Sequence, residues 1–195
     1  MGKFTSLIVL SFLAISCAQT KVVLNNQKFK AYKQYSSLTS FPMGLEVMSL
    51  KVSDARENKE VLGMAKTGAS YIDTPVLPAQ GTAVFLNNYF QDALKKRNLL
   101  FSDQTSVELE LVVNQLWVDE LQEKFKGERA KCHVEVAVFG QNDQKSFKGN
   151  YWTKLKSAGD LNDGTEHIPP TLASCLNLIV EQIAKDQKLI NFIKQ

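Results

Sequence analysis

Two stretches of alternating side chains decide the fold. Residues 106–114 read Ser-Val-Glu-Leu-Glu-Leu-Val-Val-Asn, and residues 130–138 read Ala-Lys-Cys-His-Val-Glu-Val-Ala-Val. Both have the period of two that turns one set of side chains toward a core and the other toward solvent, as in a β-strand. A third strand is predicted from Phe147 to Lys156, after a turn at residues 141–143. Because the polar segment 119–128 joins the first two strands, we predict an antiparallel meander.

Apolar residues at steps of three and four predict a helix on each side of this meander. The first helix is predicted from Pro78 to Arg97, with Asn98 as its stop, and the second from Thr165 to Lys185. Asp186 is predicted to cap a short terminal helix. The apolar stripes are Leu86, Tyr89, Phe90, Ala93 and Leu94 in the first helix, and Leu172, Cys175, Leu176, Ile179 and Ile183 in the second.

Ahead of the first helix, Leu45 to Val52 is predicted as a strand covered on both sides, and residues 54–76 as a long loop, with a short strand near Val61 to Met64 as an alternative within it. The element order β-α-β-β-β-α predicts an α+β fold, a two-layer sandwich with a mainly antiparallel sheet and two helices packed on one face. The 44% hydrophobic and 22% charged residues of this 195-residue chain are typical of a globular protein. We assign residues 44–195 to a single α+β domain.

The N-terminus has the organisation of a bacterial export signal. Lys3 precedes an apolar run, Phe4 to Ile15, which is shorter than the roughly 20 residues of a membrane-spanning helix. Residues 14–17, Ala-Ile-Ser-Cys, resemble the lipobox at which the cysteine of a bacterial lipoprotein is acylated, although Leu usually stands at the position of the alanine. We therefore predict Cys17 as the lipid attachment site at the end of signal peptide 1–17, followed by a polar tether over residues 18–43.

A second interpretation of the same stretch is ordinary cleavage after Ala18, which would discard Cys17 and release a soluble protein. No later apolar run approaches the length of a membrane span, so any attachment to a bilayer is expected through the lipid alone. Removing Lys3 with the signal leaves 22 Lys and Arg against 20 Asp and Glu, a net charge of +2. This balance does not indicate a nucleic-acid-binding protein, which would show a clustered basic face.

Cys132 and Cys175 are both predicted to face the interface between sheet and helix. Cys132 lies on the inward phase of its strand, and Cys175 lies on the apolar face of the last helix. In an oxidising compartment the two can form a disulfide. For a loop of this length the chain-entropy model assigns such a bridge about 4 kcal/mol of stability. The alternative is two separate buried thiols that act as small apolar side chains.

The sequence does not indicate an enzyme, a metal site or a cofactor. Its two histidines, His133 and His167, are scattered, and no Cys-x-x-Cys or His-x-x-x-His spacing accompanies them. Asp54 and Arg56 are expected to form a local ion pair rather than a catalytic pair. No nucleophile elbow and no phosphate-binding glycine motif is present. Trp152, on the outward phase of its strand, is a candidate for a contact surface.

A family resemblance rests on three segments. Residues 109–116, Leu-Glu-Leu-Val-Val-Asn-Gln-Leu, residues 148–151, Lys-Gly-Asn-Tyr, and residues 191–195, Asn-Phe-Ile-Lys-Gln, resemble the YajG family of bacterial lipoproteins. The resemblance runs from about Gly44 to the C-terminus, in the same element order and behind the same kind of signal. It implies a lipoprotein anchored in the outer membrane and facing the periplasm, with no catalytic residues. Ala18 agrees with that location, because retention at the inner membrane typically uses Asp there.

We expect a non-enzymatic protein that its lipid anchor holds at the cell outer membrane, where it contacts another envelope protein. A protein partner is favoured because no cluster of polar residues converges on a small ligand, whereas an uncovered sheet face or edge accepts another chain. One alternative is a binder of a lipid or glycan between the sheet and the 54–76 loop. Another is a hydrolase or transferase that uses Asp54 or His167. The sequence does not indicate the oligomeric state.

Overall fold

The structure, a computed structural model, describes residues 21–24, 39–67, 72–121, 128–158 and 167–194. Within them, the strands are β1 (Val22–Leu24), β2 (Leu45–Val47), β3 (Ser49–Asp54), β4 (Gly63–Thr67), β5 (Ile72–Pro78), β6 (Leu99–Phe101), β7 (Glu108–Glu120), β8 (Glu128–Gln141) and β9 (Ser146–Ala158). The helices are α1 (Thr82–Lys95), α2 (Ile168–Lys185) and α3 (Gln187–Ile193).

The main sheet is built around β7. β8 pairs with one edge of β7, while the other edge pairs with β3 over its first half and with β4 near its end. The strand order is β1-β5-β4-β7-β8-β9, with β3 beside β7, and β2 and β6 form a separate small sheet. One row of paired residues crosses all six strands of this order, and we call it the central row: Val22, Val76, Gly63, Val118, Cys132 and Leu155.

The fold is mixed α+β, and the sheet is also mixed, so the prediction of a mainly antiparallel sheet is wrong. The predicted meander of β7, β8 and β9 is antiparallel, as is the β4–β5 pair. In contrast, β1–β5, β2–β6, β3–β7 and β4–β7 are parallel. Parallel partners must be distant in sequence, because they need a crossover connection between them. Alternation within one strand therefore gave no sign of these pairs.

The predicted loop and the first predicted strand also differ from the structure. Residues 54–76 contain β4 and most of β5, and the strand predicted over residues 45–52 is divided at Met48 into β2 and β3, which belong to different sheets. β4 reads Gly-Met-Ala-Lys-Thr and lacks regular apolar alternation. A Cβ atom at Gly63 would overlap the backbone of Val118, so the close approach of β4 to β7 requires this glycine.

The start of the first helix and the extent of the predicted tether also differ from the prediction. Pro78 ends β5 rather than beginning a helix, and α1 starts only at Thr82, after Gly81 with a φ of 79°. β1 lies within residues 18–43, the stretch predicted as a tether, and pairs in parallel with β5. The aromatic residues of that stretch, Phe29, Tyr32 and Tyr35, lie outside the described residues.

The helices pack on the face of the sheet that carries Cys132. The predicted stripes of α1 and α2 are buried, and residues 169–170, both proline, lie in the first turn of α2. The Tyr89 hydroxyl donates to Asn177 Oδ1 at 2.6 Å and so joins the two helices. Asp186 caps α3, as predicted, by accepting hydrogen bonds from two backbone N–H groups.

A buried ion pair occupies the gap between β3 and β4. The Asp54 and Arg56 side chains are only 6% and 5% exposed, and they meet through two hydrogen bonds, Nη2 to Oδ2 at 2.8 Å and Nε to Oδ1 at 2.9 Å. The ion pair expected from the sequence is therefore present, but it is buried rather than solvated. Two such bonds in parallel give this pair a fixed geometry.

The same guanidinium also satisfies three backbone carbonyl groups. Nη1 donates to Val61 O at 2.9 Å and to Leu116 O at 3.1 Å, and Nη2 donates to Lys59 O at 3.1 Å. Leu116 lies in the part of β7 between its pairings with β3 and β4. Buried carbonyl groups must be hydrogen-bonded. Arg56 therefore supplies to Leu116 of β7 the hydrogen bond that a neighbouring strand would otherwise donate.

Replacing Arg56 by Ala is expected to lower the free energy of unfolding by about 3–5 kcal/mol, since it leaves the buried Asp54 carboxylate without its partner. Lys59→Ala is the control, because this exposed side chain lies in the same loop and only its backbone contacts Arg56. The control should change stability by less than about 0.5 kcal/mol. Urea denaturation measures both, and an equal effect of the two changes would contradict this role for Arg56.

Candidate functional site

The candidate functional site is the outer face, by which we mean the face of the sheet opposite the helices. Side chains alternate along each strand, so the residues between the core positions point to this face. Trp152 on β9 is 62% exposed, and Phe139 on β8 is 37% exposed. Strand register aligns the remaining residues near Trp152 in three rows: Gln115, Glu135 and Trp152; Trp117, His133 and Lys154; and Asp119, Lys131 and Lys156.

A bulge in β7 decides which residues reach the outer face. The pairing of β7 with β8 shifts register between Val113 and Gln115, so the inward phase passes from Val113 to Leu116. Simple alternation would have turned Trp117 toward the core. With the bulge, Trp117 instead lies on the outer face beside His133. Nothing local to residues 113–115 marks a bulge, so the sequence alone does not show that Trp117 lies on the outer face.

Two of the three rows line a groove of about 520 Å³. We call it the basic groove, and its outward side chains are Trp117, Asp119, Lys131, His133, Lys154 and Lys156. Trp117 Nε1 donates to Asp119 Oδ1, and Lys131 Nζ lies 3.4 Å from Asp119 Oδ2. One carboxylate therefore stands among three lysines. This excess of positive charge favours an anionic group in the groove.

Charges at the other end of the outer face are paired with neighbours. Glu110 Oε1 accepts a hydrogen bond from Ser53 Oγ at 2.6 Å and lies 3.0 Å from Lys51 Nζ. The Ser53 hydrogen bond, with help from Lys51, lowers the pKa of Glu110. Lys148 Nζ lies 5.4 Å from the centre of the Phe139 ring, a cation–π distance.

Two polar groups near the core have raised pKa values, but they do not form a catalytic pair. Burial raises the pKa of Glu120, whose carboxylate accepts a hydrogen bond of 2.8 Å from Lys66 N. Burial and the neighbouring Asp186 carboxylate raise the pKa of Tyr151, whose hydroxyl donates to Asp186 Oδ2 at 2.7 Å. The Tyr151 contact joins β9 to the start of α3, so its role is structural.

The structure places the two residues considered for hydrolysis, Asp54 and His167, at different elements, and His133 at a third. Asp54 is held in its pair with Arg56, His133 lies on the outer face with Nε2 2.8 Å from Glu135 Oε1, and His167 directly precedes α2. Within the described part of the chain, no group of three or more His, Cys, Asp or Glu side chains is placed to hold a metal ion. No helix in that part is both long and apolar enough to cross a membrane.

The predicted lipid attachment site, Cys17, lies outside the described residues. Cys132 and Cys175 are joined by a disulfide in the structure, with their Cα atoms 6.5 Å apart. The bond connects β8 to the middle of α2, and both residues are buried. Cys132 also lies directly between Lys131 and His133, so the bond holds the strand behind the basic groove. That the exported protein carries this bridge stays a prediction.

A family model described as an uncharacterized lipoprotein matches residues 44–194. No curated protein matches the sequence. Among solved structures, a DUF330 protein from Xanthomonas campestris is 10% identical with a TM-score of 0.53, and the match covers 80% of this chain and 89% of that chain. The rare lipoprotein B from Shewanella oneidensis is 15% identical with a TM-score of 0.28, and the match covers 75% of this chain and 91% of that chain. The first of these two matches indicates a shared fold.

The exported protein, purified without reductant, is expected to be more stable than the same protein after reduction, by about 4 kcal/mol. The physical reason is that the bridge restricts the unfolded chain. Urea denaturation with and without reductant measures the difference. A Cys132→Ala/Cys175→Ala variant is the control, since its stability should not respond to reductant. Two free thiols in the unreduced protein would contradict the bridge.

Proposed function

Because the chain belongs to this family of uncharacterised lipoproteins, the YajG family, we propose that it is a non-enzymatic protein anchored to the cell outer membrane and facing the periplasm. The anchor is a lipid on Cys17. The apolar run, the lipobox-like residues 14–17 and the family membership support acylation over cleavage after Ala18. Ala18 also favours the outer membrane, since it is not the Asp typical of inner-membrane retention.

The function that the outer face supports best is binding of another envelope protein. The observation that carries this proposal is the exposure of two large aromatic side chains, Trp152 at 62% and Phe139 at 37%, on the face opposite the helices. Exposed apolar groups of this size are typical of interaction sites, and Trp is among the residues that dominate the energy of protein interfaces. Glu135 and Lys148 lie beside them and supply the polar surroundings that such interfaces have.

We propose this face, rather than the outer edge of β9, as the binding site of the partner. β9 ends the strand order, so in the described part of the chain no strand pairs with its far edge. Gln182 Nε2 donates to Trp152 O at 3.0 Å and so occupies the middle of that edge. Lysines at residues 148, 154 and 156 line the same strand, and lysines on edge strands oppose pairing with another chain.

A second candidate function is binding of an anionic lipid or glycan, which the basic groove favours. Leu62, Ala65 and Val76 of segment 54–76 are fully buried against the rest of the protein, so these parts of the segment are not open to a ligand between it and the sheet. The basic groove instead offers the Trp117 indole next to three lysines. An indole ring packs against a sugar or an apolar tail, and lysines pair with a carboxylate or a phosphate.

Photo-crosslinking in living cells tests the partner proposal. A benzophenone side chain at position 152 or 139 of the full, anchored chain is expected to form a discrete adduct with one envelope protein. Position 178 is the matched control, because Leu178 on α2 is exposed to the same 37% as Phe139. Adducts of equal yield from position 178, or none from positions 152 and 139, would contradict the proposal.

Once that partner is isolated, Trp152→Ala is expected to weaken its binding at least about tenfold, in line with loss of a central interface residue. The change should alter the free energy of unfolding by less than about 0.5 kcal/mol, since the side chain is exposed. Leu178→Ala serves as the control and should leave affinity unchanged. Calorimetry measures the affinity of the partner for the parent chain, for Trp152→Ala and for Leu178→Ala. Equal affinity of Trp152→Ala and the parent chain would contradict the proposal.

A further inference from the structure

β1 and the basic groove lie in neighbouring rows of the sheet. Val22 and Val118 both belong to the central row, and the Trp117 row and the Asp119 row lie on either side of it. Since Val22 is buried, Val23 points to the outer face, where it is 49% exposed. Strands lie about 4.8 Å apart, so β1 and β9 are separated by roughly 24 Å on this face.

In the rows beside the central row, the side chains of the outer face change from apolar near β1 to basic near β9. Next to β1 it carries Val23, Leu77, Pro75 and Met64, which we call the apolar half. Trp117 follows on β7, and the lysines of the basic groove follow on β8 and β9. Apolar side chains beside lysines are the composition of surfaces that lie in the membrane–water interface.

The lipid anchor proposed above is close to this level of the sheet. Five residue steps separate Cys17 from Val22. An extended chain covers at most about 3.5 Å per residue, so β1 begins within roughly 18 Å of the acylated cysteine. A flexible tether of twenty residues would let the domain turn in any direction, whereas this short connection keeps β1 and its neighbours near the bilayer.

From these observations we propose that the apolar half and the basic groove lie against the anionic surface of the membrane that holds the anchor. Val23, Met64 and Trp117 enter the interfacial region, and the groove lysines contact anionic headgroups. The inference rests on the proposed acylation of Cys17. A lipid surface is favoured over a protein at this level because the anchor itself holds the bilayer within reach. The Trp152 row, next to the Trp117 row, stays available to the protein partner.

Fluorescence quenching in reconstituted vesicles tests the proposal. The chain has two tryptophans, so Trp152→Phe in the full acylated protein leaves Trp117 as the single reporter. The vesicles contain either phosphatidylcholine alone or phosphatidylcholine with phosphatidylglycerol, each with acyl chains brominated near the headgroup. Trp117 is expected to be quenched strongly in the vesicles that contain phosphatidylglycerol and weakly in those that lack it.

Charge reversal locates the contact. Lys154→Glu with Lys156→Glu is expected to lower the ratio of docked to undocked protein at least about tenfold. The reason is that each lysine near an anionic membrane surface contributes favourable binding energy, which the glutamates remove. Lys145→Glu with Lys148→Glu is the matched control, because it makes the same charge change just before and within the other end of β9. The control should be quenched like the parent chain, and thermal melts should show that both variants fold.

Each outcome decides between the proposals. Protein that does not stay on vesicles at all contradicts the anchor, and with it this orientation. Protein that stays on the vesicles with Trp117 unquenched contradicts the orientation alone and leaves the groove to a protein partner or a soluble ligand. Equal loss of quenching in the two charge-reversal variants also contradicts it, since the contact would then depend on total charge and not on the basic groove.

Discussion

Arg56 donates hydrogen bonds to the carbonyl oxygens of Lys59, Val61 and Leu116 while Asp54 balances its charge. This one side chain makes it possible for β7 to have two different neighbours on the same edge. β3 leaves the sheet after Asp54, and the chain returns as β4 at Gly63. Without a donor between them, the backbone of β7 would present an unsatisfied carbonyl in a buried position, at a cost that a marginally stable domain cannot easily bear.

The succession of β3 and β4 along one edge of β7 also determines which residues share the outer face. Because β4 rejoins β7 near its end, β5 and β1 are added to the sheet at the level of Trp117 and Asp119 rather than at the level of β3. The bulge at residues 113–115 then turns Trp117 outward. Together these two irregularities place apolar residues near β1 and lysines on β9 on one continuous face. The regular part of the sheet, behind this face, is covered by helices and joined to α2 through Cys132.

The features that the sequence predicts well are those with local causes. The strands of the meander, the buried stripes of α1 and α2 and the Asp186 cap follow from the spacing of apolar residues and from one short side chain. α1 ends at Lys95, two residues before the predicted end, and Asn98 adopts the positive φ of 68° that favours a stop. β1, β4 and β6 are short, and their pairing depends on partners far away in sequence. The burial of Arg56 likewise depends on Leu116, sixty positions later. The basic groove needs the register of three strands and a bulge, so no single stretch of sequence displays it.

The proposed orientation at the membrane depends most on the lipid proposed for Cys17, since only an anchor at this residue would hold β1 and the outer face near a bilayer. The measurement that tests it most directly is the intact mass of the protein extracted from the membranes of cells that export it. We predict a chain that begins at Cys17 and carries acyl groups on that residue. A soluble, unmodified chain that begins at Gln19 would contradict the anchor and leave a freely diffusing binding protein in its place.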